Sequence, residues 1–173
     1  MARLARIADA AEQPAPGFAD RFSAAARRRM SGPGLRTFNA IADQWKLTEA
    51  ERMRVLGQPG RSTYFGWLAK ARGGIGLTLP VDVLLRISAV LGIHKALKIV
   101  FPTDAEANRW LTTSNDGPLF GGQPPLALIT AGTQDGLMLV RRHLDAWRGG
   151  LFSAPLPGFD EIDPIETSDI VWA

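Results

Sequence analysis

Cysteine is absent from this chain of 173 residues, and histidine occurs only twice. The lack of cysteine excludes disulfides, thiolate metal sites and a cysteine nucleophile. His94 and His143 each fall inside an apolar helical pattern, and two isolated histidines do not make a zinc site. No glycine pair is followed by the Lys-Ser/Thr of a phosphate-binding loop. The sequence therefore predicts no enzyme, no metal and no cofactor.

Long uninterrupted apolar runs are also missing. The most apolar segment, residues 79–101, is interrupted by acidic, basic and histidine side chains, so it is not expected to span a membrane. Residues 1–17 lack the continuous apolar core of a secretory signal. The sequence predicts a cytoplasmic protein without a membrane partner.

Charge is unevenly distributed along the chain. Residues 1–72 contain 13 Lys and Arg against 6 Asp and Glu, whereas residues 151–173 contain 5 acidic residues and no basic one. A basic front and an acidic end indicate two different partners.

The first segment, residues 1–34, is predicted to be a flexible basic arm with transient helix around residues 18–30. It ends in Ser-Gly-Pro-Gly, a run that favours a boundary. The arginine triplet at 27–29 fits either a solvated charge run or an arm that contacts DNA phosphates.

Residues 35–72 have the pattern of a helix-turn-helix. One apolar helical face is formed by Phe38, Ile41, Ala42 and Trp45. Thr48 and Glu51 have the spacing of a capping box that starts a short helix, and residues 57–60, Gly-Gln-Pro-Gly, turn the chain into a third helix. In such units the third helix lies in the DNA major groove. The expected DNA contacts are Arg61, Ser62, Thr63, Phe65, Lys70 and Arg72; plain packing in a helical bundle is the alternative.

The helical pattern continues to residue 150. Pro80 suits the first turn of a helix, Gly92 predicts its end, and a second helix is expected at residues 93–101. Further helices are predicted at residues 104–114 and 124–129, and Thr133 is expected to cap a last one. The loop before residue 124 carries large apolar side chains among Gly and Pro. Because most loops are polar, this loop is expected to be packed.

Residues 109–150 hold an ordered set of motifs: Trp110-Leu111, Asn115, Phe120-Gly121-Gly122-x-Pro124-Pro125-Leu126, Gly132, Gly136, Val140-Arg141 and Leu-Asp-Ala-Trp-Arg-Gly-Gly at 144–150. In order and spacing they resemble the toxin-binding domain of the Xre/MbcA/ParS family of bacterial antitoxins. Residues 84–97 are similar to the linking region of Xre-type antitoxins. One departure is the pair Phe65-Gly66, where the family usually has more polar residues.

The resemblance implies a type II antitoxin that binds a RES-domain, NAD-degrading toxin and covers its active site. It also implies operator binding through the helix-turn-helix, which would repress the operon, and a homodimer within a larger toxin–antitoxin hetero-oligomer. The alternative is a DNA-binding transcriptional regulator with an unrelated partner-binding C-terminal module.

The end of the chain, residues 151–173, interleaves acidic side chains with Phe, Ile and Trp. Such a composition is typical of a segment that orders on a partner, although packing on its own globule is the alternative. The residues expected to contact the toxin are Phe120, Arg141, Trp147, Arg148, Phe152, Phe159, Asp160, Glu161, Asp163, Glu166 and Trp172.

The predicted fold is all-α: an Xre-like helix-turn-helix bundle, a small helical toxin-binding domain and an extended tail. Its predicted segments are the arm at 1–34, the helix-turn-helix domain with linking helices at 35–101, the toxin-binding domain at 102–150 and the acidic, apolar tail at 151–173.

Overall fold

The computed structural model of the chain describes Asp20 and residues 22–149. In this part the chain forms helices and no strand, which confirms the predicted all-α class. The helices are α1 (Ala24–Gln44), α2 (Glu49–Val55), α3 (Arg61–Arg72), α4 (Val81–Val100), α5 (Asp104–Thr112), α6 (Pro125–Thr130) and α7 (Gln134–Arg148). None of them combines the length and apolar character that a membrane crossing requires.

Helix α1 begins ten residues before the predicted end of the arm and runs through Pro33, so the expectation of a boundary at Ser-Gly-Pro-Gly is wrong. Ser31 explains why the helix persists there. Its buried hydroxyl donates to the carbonyl of Arg27 at 2.7 Å and accepts from the backbone N–H of Leu79 at 2.8 Å. Gly and Pro disfavour a helix by about 1 and 3 kcal/mol respectively; here packing and this buried pair of bonds offset that cost.

Helices are present at the predicted positions between residues 35 and 72. Thr48 caps α2 in a complete capping box with Glu51, and the chain turns at residues 57–60 into α3. The predicted apolar face of α1, made of Phe38, Ile41, Ala42 and Trp45, is buried. It packs with the inner residues of α3, of which Tyr64 is 2% exposed.

Helix α4 is continuous from Val81 to Val100, so Gly92 does not end it, contrary to the sequence prediction. Gly92 instead allows a neighbouring side chain to come close. A Cβ at this position would lie 2.8 Å from the guanidinium of Arg141 on α7. The glycine therefore leaves room for this arginine at the helix–helix contact, and α4 continues through it.

Helix α4 is central, with α1 against one part of its surface and α7 against another. One apolar core runs from Leu35 on α1 to Leu144 on α7 without a break. The predicted boundary between 101 and 102 thus separates two segments that share a core. Two arginines also join the halves: Arg54 donates to the carbonyl of Thr130 at 3.0 Å, and Arg86 donates to that of Gly132 at 2.9 Å.

Candidate functional site

Five aromatic rings meet where α5, the loop after it, α7 and the end of α4 come together. We call this group, Phe101, Trp110, Phe120, His143 and Trp147, the aromatic cluster. Trp110 stacks on His143 with centroids 6.1 Å apart, and Phe120 meets both rings edge-on at 5.9 and 5.0 Å. Trp147 meets Phe101 edge-on at 5.5 Å. Aromatic pairs of this geometry contribute about 0.5–1.5 kcal/mol each beyond their burial, so the cluster fixes the relative positions of these elements.

The loop between α5 and α6 is packed, as its apolar content predicted. Asn115 shapes its first turn: its side-chain oxygen accepts from the N–H of Gly117 at 2.9 Å, and its backbone carbonyl accepts from that of Gly122 at 3.0 Å. Phe120 is only 4% exposed and lies against Trp110 and His143. The loop is thereby anchored to α5 and α7.

Phe120, one of the predicted toxin contacts, is buried within this chain. Its ring is already covered by Trp110 and His143 of this chain, so it presents almost no surface to a partner. Trp147 is half-buried on the same cluster. Phe120 therefore packs beneath Trp110 and His143 and holds these two rings in position.

Two predicted basic contacts lie on α7. Arg141 reaches across Gly92 to the carbonyl of Ser88 at 3.4 Å and pairs with Asp145 at 3.6 Å. Arg148 pairs with the same carboxylate at 3.3 Å and is exposed. Arg141 thus helps to hold α7 on α4, whereas Arg148 faces solvent. The seven predicted contacts in the tail, from Phe152 to Trp172, lie outside the described residues.

Beside the aromatic cluster there is an open groove with a volume of about 450 Å³. Phe101 and Trp110 supply apolar walls, and Glu106 and Arg109 on α5 add charges of opposite sign. The remaining lining residues are Thr113, Ser114 and Asn115. Only Trp110 and Asn115 stood out in the sequence. The helical spacing of 106, 109, 110 and 113 could have revealed this face of α5.

Both histidines are partly buried, and the pKa of each is lowered. Burial lowers the pKa of His143, and burial together with nearby Lys98 lowers the pKa of His94. Because the neutral imidazole is favoured, His143 acts near neutral pH as an aromatic ring within the cluster. Among the described residues there is no group of His, Asp and Glu arranged to hold a metal ion.

A second surface lies on α3, far along the chain from the cluster. All six residues predicted to contact DNA are exposed there: Arg61, Ser62, Thr63, Phe65, Lys70 and Arg72. Arg61 pairs with Glu49 at 3.3 Å and lies over the ring of Phe65, with 5.5 Å between its guanidinium carbon and the ring centre. A Cβ added to Gly66 would meet no atom within 4 Å, so this part of α3 is open for close approach.

Residues 96–150 match the family described as "Antitoxin Xre/MbcA/ParS C-terminal toxin-binding domain". The chain is also 41% identical over 116 residues to "Uncharacterized protein y4oB" of Sinorhizobium fredii (strain NBRC 101917 / NGR234), a match that covers 67% of this chain and 84% of that protein. The chain belongs to the Xre/MbcA/ParS antitoxin family. The family resemblance of the sequence is thus confirmed.

The match places the aromatic cluster and the groove within the toxin-binding domain of this antitoxin family. The matched segment begins at Ala96, inside α4, and therefore earlier than the predicted start at residue 102. This earlier start is physically reasonable. Phe101 at the end of α4 contacts Trp110 and Trp147, so the end of α4 is a structural part of the domain. The family description implies a toxin as the partner of this domain.

Proposed function

We propose that this chain neutralises a RES-domain toxin that degrades NAD, by docking its toxin-binding domain on the toxin and covering the active site. The observation that carries the proposal is the open groove beside the aromatic cluster, within the segment that matches the toxin-binding family. A pre-formed apolar groove with a few polar groups suits a protruding side chain of a partner. The resemblance of the sequence to RES-associated antitoxins supports the class of toxin.

The acidic tail completes this proposed inhibitory surface. Residues 151–173 directly follow α7 and carry 5 acidic side chains and no basic one. A site that binds a dinucleotide favours negative charge, and an acidic segment is therefore suited to occupy it. In this proposal the groove holds the toxin and the tail blocks its catalysis.

Transcriptional autorepression is the second part of the proposal. The exposed residues of α3 follow a capped α2 and a sharp turn, the arrangement in which a recognition helix enters the major groove. A homodimer would present two such helices about 34 Å apart, one turn of DNA. In complex with the toxin, this homodimer would form the larger hetero-oligomer.

The test of neutralisation is co-production of the chain with the RES-type protein encoded beside it, with cellular NAD as the readout. Ser114→Trp, which fills the groove at an exposed lining position, should weaken complex formation and restore NAD loss. The matched control is Ala50→Trp, exposed on α2 and outside the matched domain. If Ser114→Trp protects NAD as well as the control does, the groove is not the docking site.

Deleting residues 151–173 separates docking from blocking. The truncated chain should still form the complex and still bind operator DNA, while NAD is lost as in cells without antitoxin. A truncated chain that protects NAD fully would contradict the role of the tail. A stable complex with a partner that is not a toxin would instead favour a regulator with an unrelated partner.

A further inference from the structure

A basic groove lies between the first half of α1 and the end of α3. Its volume is about 570 Å³. We define the basic groove by its four cationic lining residues: Arg28, Arg29, Arg36 and Lys70. Small residues, among them Gly32 and Gly74, line it as well, so the space between the cations is open.

The arginine triplet of the sequence is divided between two roles. Arg27 points inward: its guanidinium donates to the carbonyls of Leu79 at 3.3 Å and Phe22 at 3.2 Å. Arg28 and Arg29 are exposed and line the groove. Because α1 is continuous through residues 28 and 29, both arginines lie on an ordered helix. The predicted flexible arm is not found at these positions.

The positions of these cations are supported by neighbouring backbone. Arg36 donates to the carbonyl of Ala71 at 2.7 Å, at the end of α3, and so joins the two walls of the groove. Arg28 lies against Gly76, where a Cβ would come within 2.6 Å of its guanidinium. Glycine at 76 therefore leaves room for this arginine on the surface of the groove.

The residues that line the groove carry four positive charges and no negative one. Within the described part of the chain, no acidic residue lines it, and the ion pairs found there involve other cations. Arg61, at the start of α3, differs in this respect because it pairs with Glu49. The groove therefore presents four cations to a polyanion, whereas the charge of Arg61 is partly neutralised.

The spacing of the cations suits the phosphates of a nucleic-acid strand. Arg29 and Arg36 are separated by two turns of α1, about 10 Å along its axis, so their side chains can reach different phosphates of one strand. Lys70 lies on α3 itself, nine residues or about 13 Å beyond Arg61. A duplex read by the start of α3 would thus pass the groove at the other end of the same helix.

We propose that the basic groove binds the phosphate backbone of duplex DNA next to the bases that α3 contacts. This inference rests on the proposed DNA binding and extends it to a contact that does not depend on the base sequence of the DNA. Phosphate contacts position a protein on DNA and make its affinity depend on salt. The groove would supply that positioning from the first half of α1 together with the end of α3.

The test compares Arg29→Gln/Lys70→Gln with Lys95→Gln/Arg142→Gln, a matched pair of exposed cations on α4 and α7. Arg36 is left intact because it joins α1 to α3. Binding is measured by fluorescence anisotropy, at several salt concentrations, to the duplex upstream of the chain's own gene and to an unrelated duplex of equal length. Unchanged melting temperatures verify that both variants are folded.

The groove variant should bind both duplexes more weakly by the same factor, on the order of tenfold to a hundredfold at 0.1 M salt for two lost phosphate contacts. The slope of log affinity against log salt should fall in magnitude by about 2, since each contact contributes about 0.9. The control pair should change neither quantity. Unchanged affinity and slope in the groove variant would overturn the proposal, as would a loss of toxin binding with DNA binding intact.

The experiments can contradict the groove proposal and the proposed recognition by α3 independently. Ser62→Ala/Thr63→Ala should reduce preference for the upstream duplex and leave the salt slope in place. If that preference is unchanged while the groove variant still loses slope, the groove proposal is supported and the recognition role of α3 is wrong. If the intact chain binds neither duplex, both proposals fail.

Discussion

Replacement of Phe120 by alanine distinguishes a supporting residue from a direct toxin contact. The ring is 4% exposed and meets Trp110 and His143 at 5.9 and 5.0 Å. Truncation of a buried phenylalanine to alanine costs about 3–5 kcal/mol. For a domain of this size, about 3 °C of melting temperature is lost per kcal/mol. Phe120→Ala should therefore lower the melting temperature by about 10 °C or more.

The same substitution should also weaken toxin binding, because Trp110 forms a wall of the groove and would lose its support. Thermal unfolding followed by circular dichroism gives the stability, and toxin affinity is measured at a temperature where the variant is still folded. Phe120→Leu is the matched control: it keeps most of the apolar volume and should lose less of both quantities. A Phe120→Ala protein that loses toxin affinity at an unchanged melting temperature would refute this reasoning and restore Phe120 as a direct contact.

Three further perturbations have defined outcomes. Ser31→Ala leaves the buried N–H of Leu79 without its acceptor and should lower the free energy of unfolding in urea by about 1–3 kcal/mol; an unchanged value would contradict the role given to Ser31. Burial lowers the pKa of His143, so the unfolded chain binds more protons below pH about 6.5. The free energy of unfolding should fall as the pH drops from 7.5 to 5.5, and it should fall less steeply in His143→Gln. An equal pH dependence in the two proteins would contradict the lowered pKa of His143. Arg61→Glu should abolish the gel shift of the upstream duplex but spare toxin binding, and an intact gel shift would remove Arg61 from the DNA surface.

The predictable parts of the fold are those whose signals are local. The capping box of Thr48 and Glu51, and the apolar spacing from Phe38 to Trp45, involve residues within one or two helical turns. Each was found as predicted. The exposure of Phe65 could likewise be inferred, because its neighbours Tyr64 and Trp67 define the inner side of α3. Patterns of this kind depend on helical geometry alone.

The features that were missed depend on contacts between residues distant in sequence. A glycine such as Gly92 has the same local preference whether it ends a helix or lies beneath an arginine from another helix. Only the approach of Arg141, 49 positions away in the numbering, distinguishes the two. The same holds for Ser31, whose acceptor role requires Leu79. The arginine triplet and Lys70 were singled out separately, but the groove was not predicted, because its cations come from α1 and α3 and meet only after these helices pack.

The shared core has a mechanical consequence for the two proposed binding activities. Arg86, on α4, donates from one nitrogen to the carbonyl of Gly132 at 2.9 Å and to that of Val55 at 3.5 Å. One guanidinium therefore holds the end of α2, which leads into α3, and the turn that leads into α7. Since the arginine is largely buried, its removal would leave two carbonyls without a donor, a cost of about 1–3 kcal/mol for each one that stays dry. The proposed toxin-binding surface and the proposed recognition helix thus share one core, and we expect a toxin docked on α5 to be held in a fixed orientation relative to DNA bound by α3.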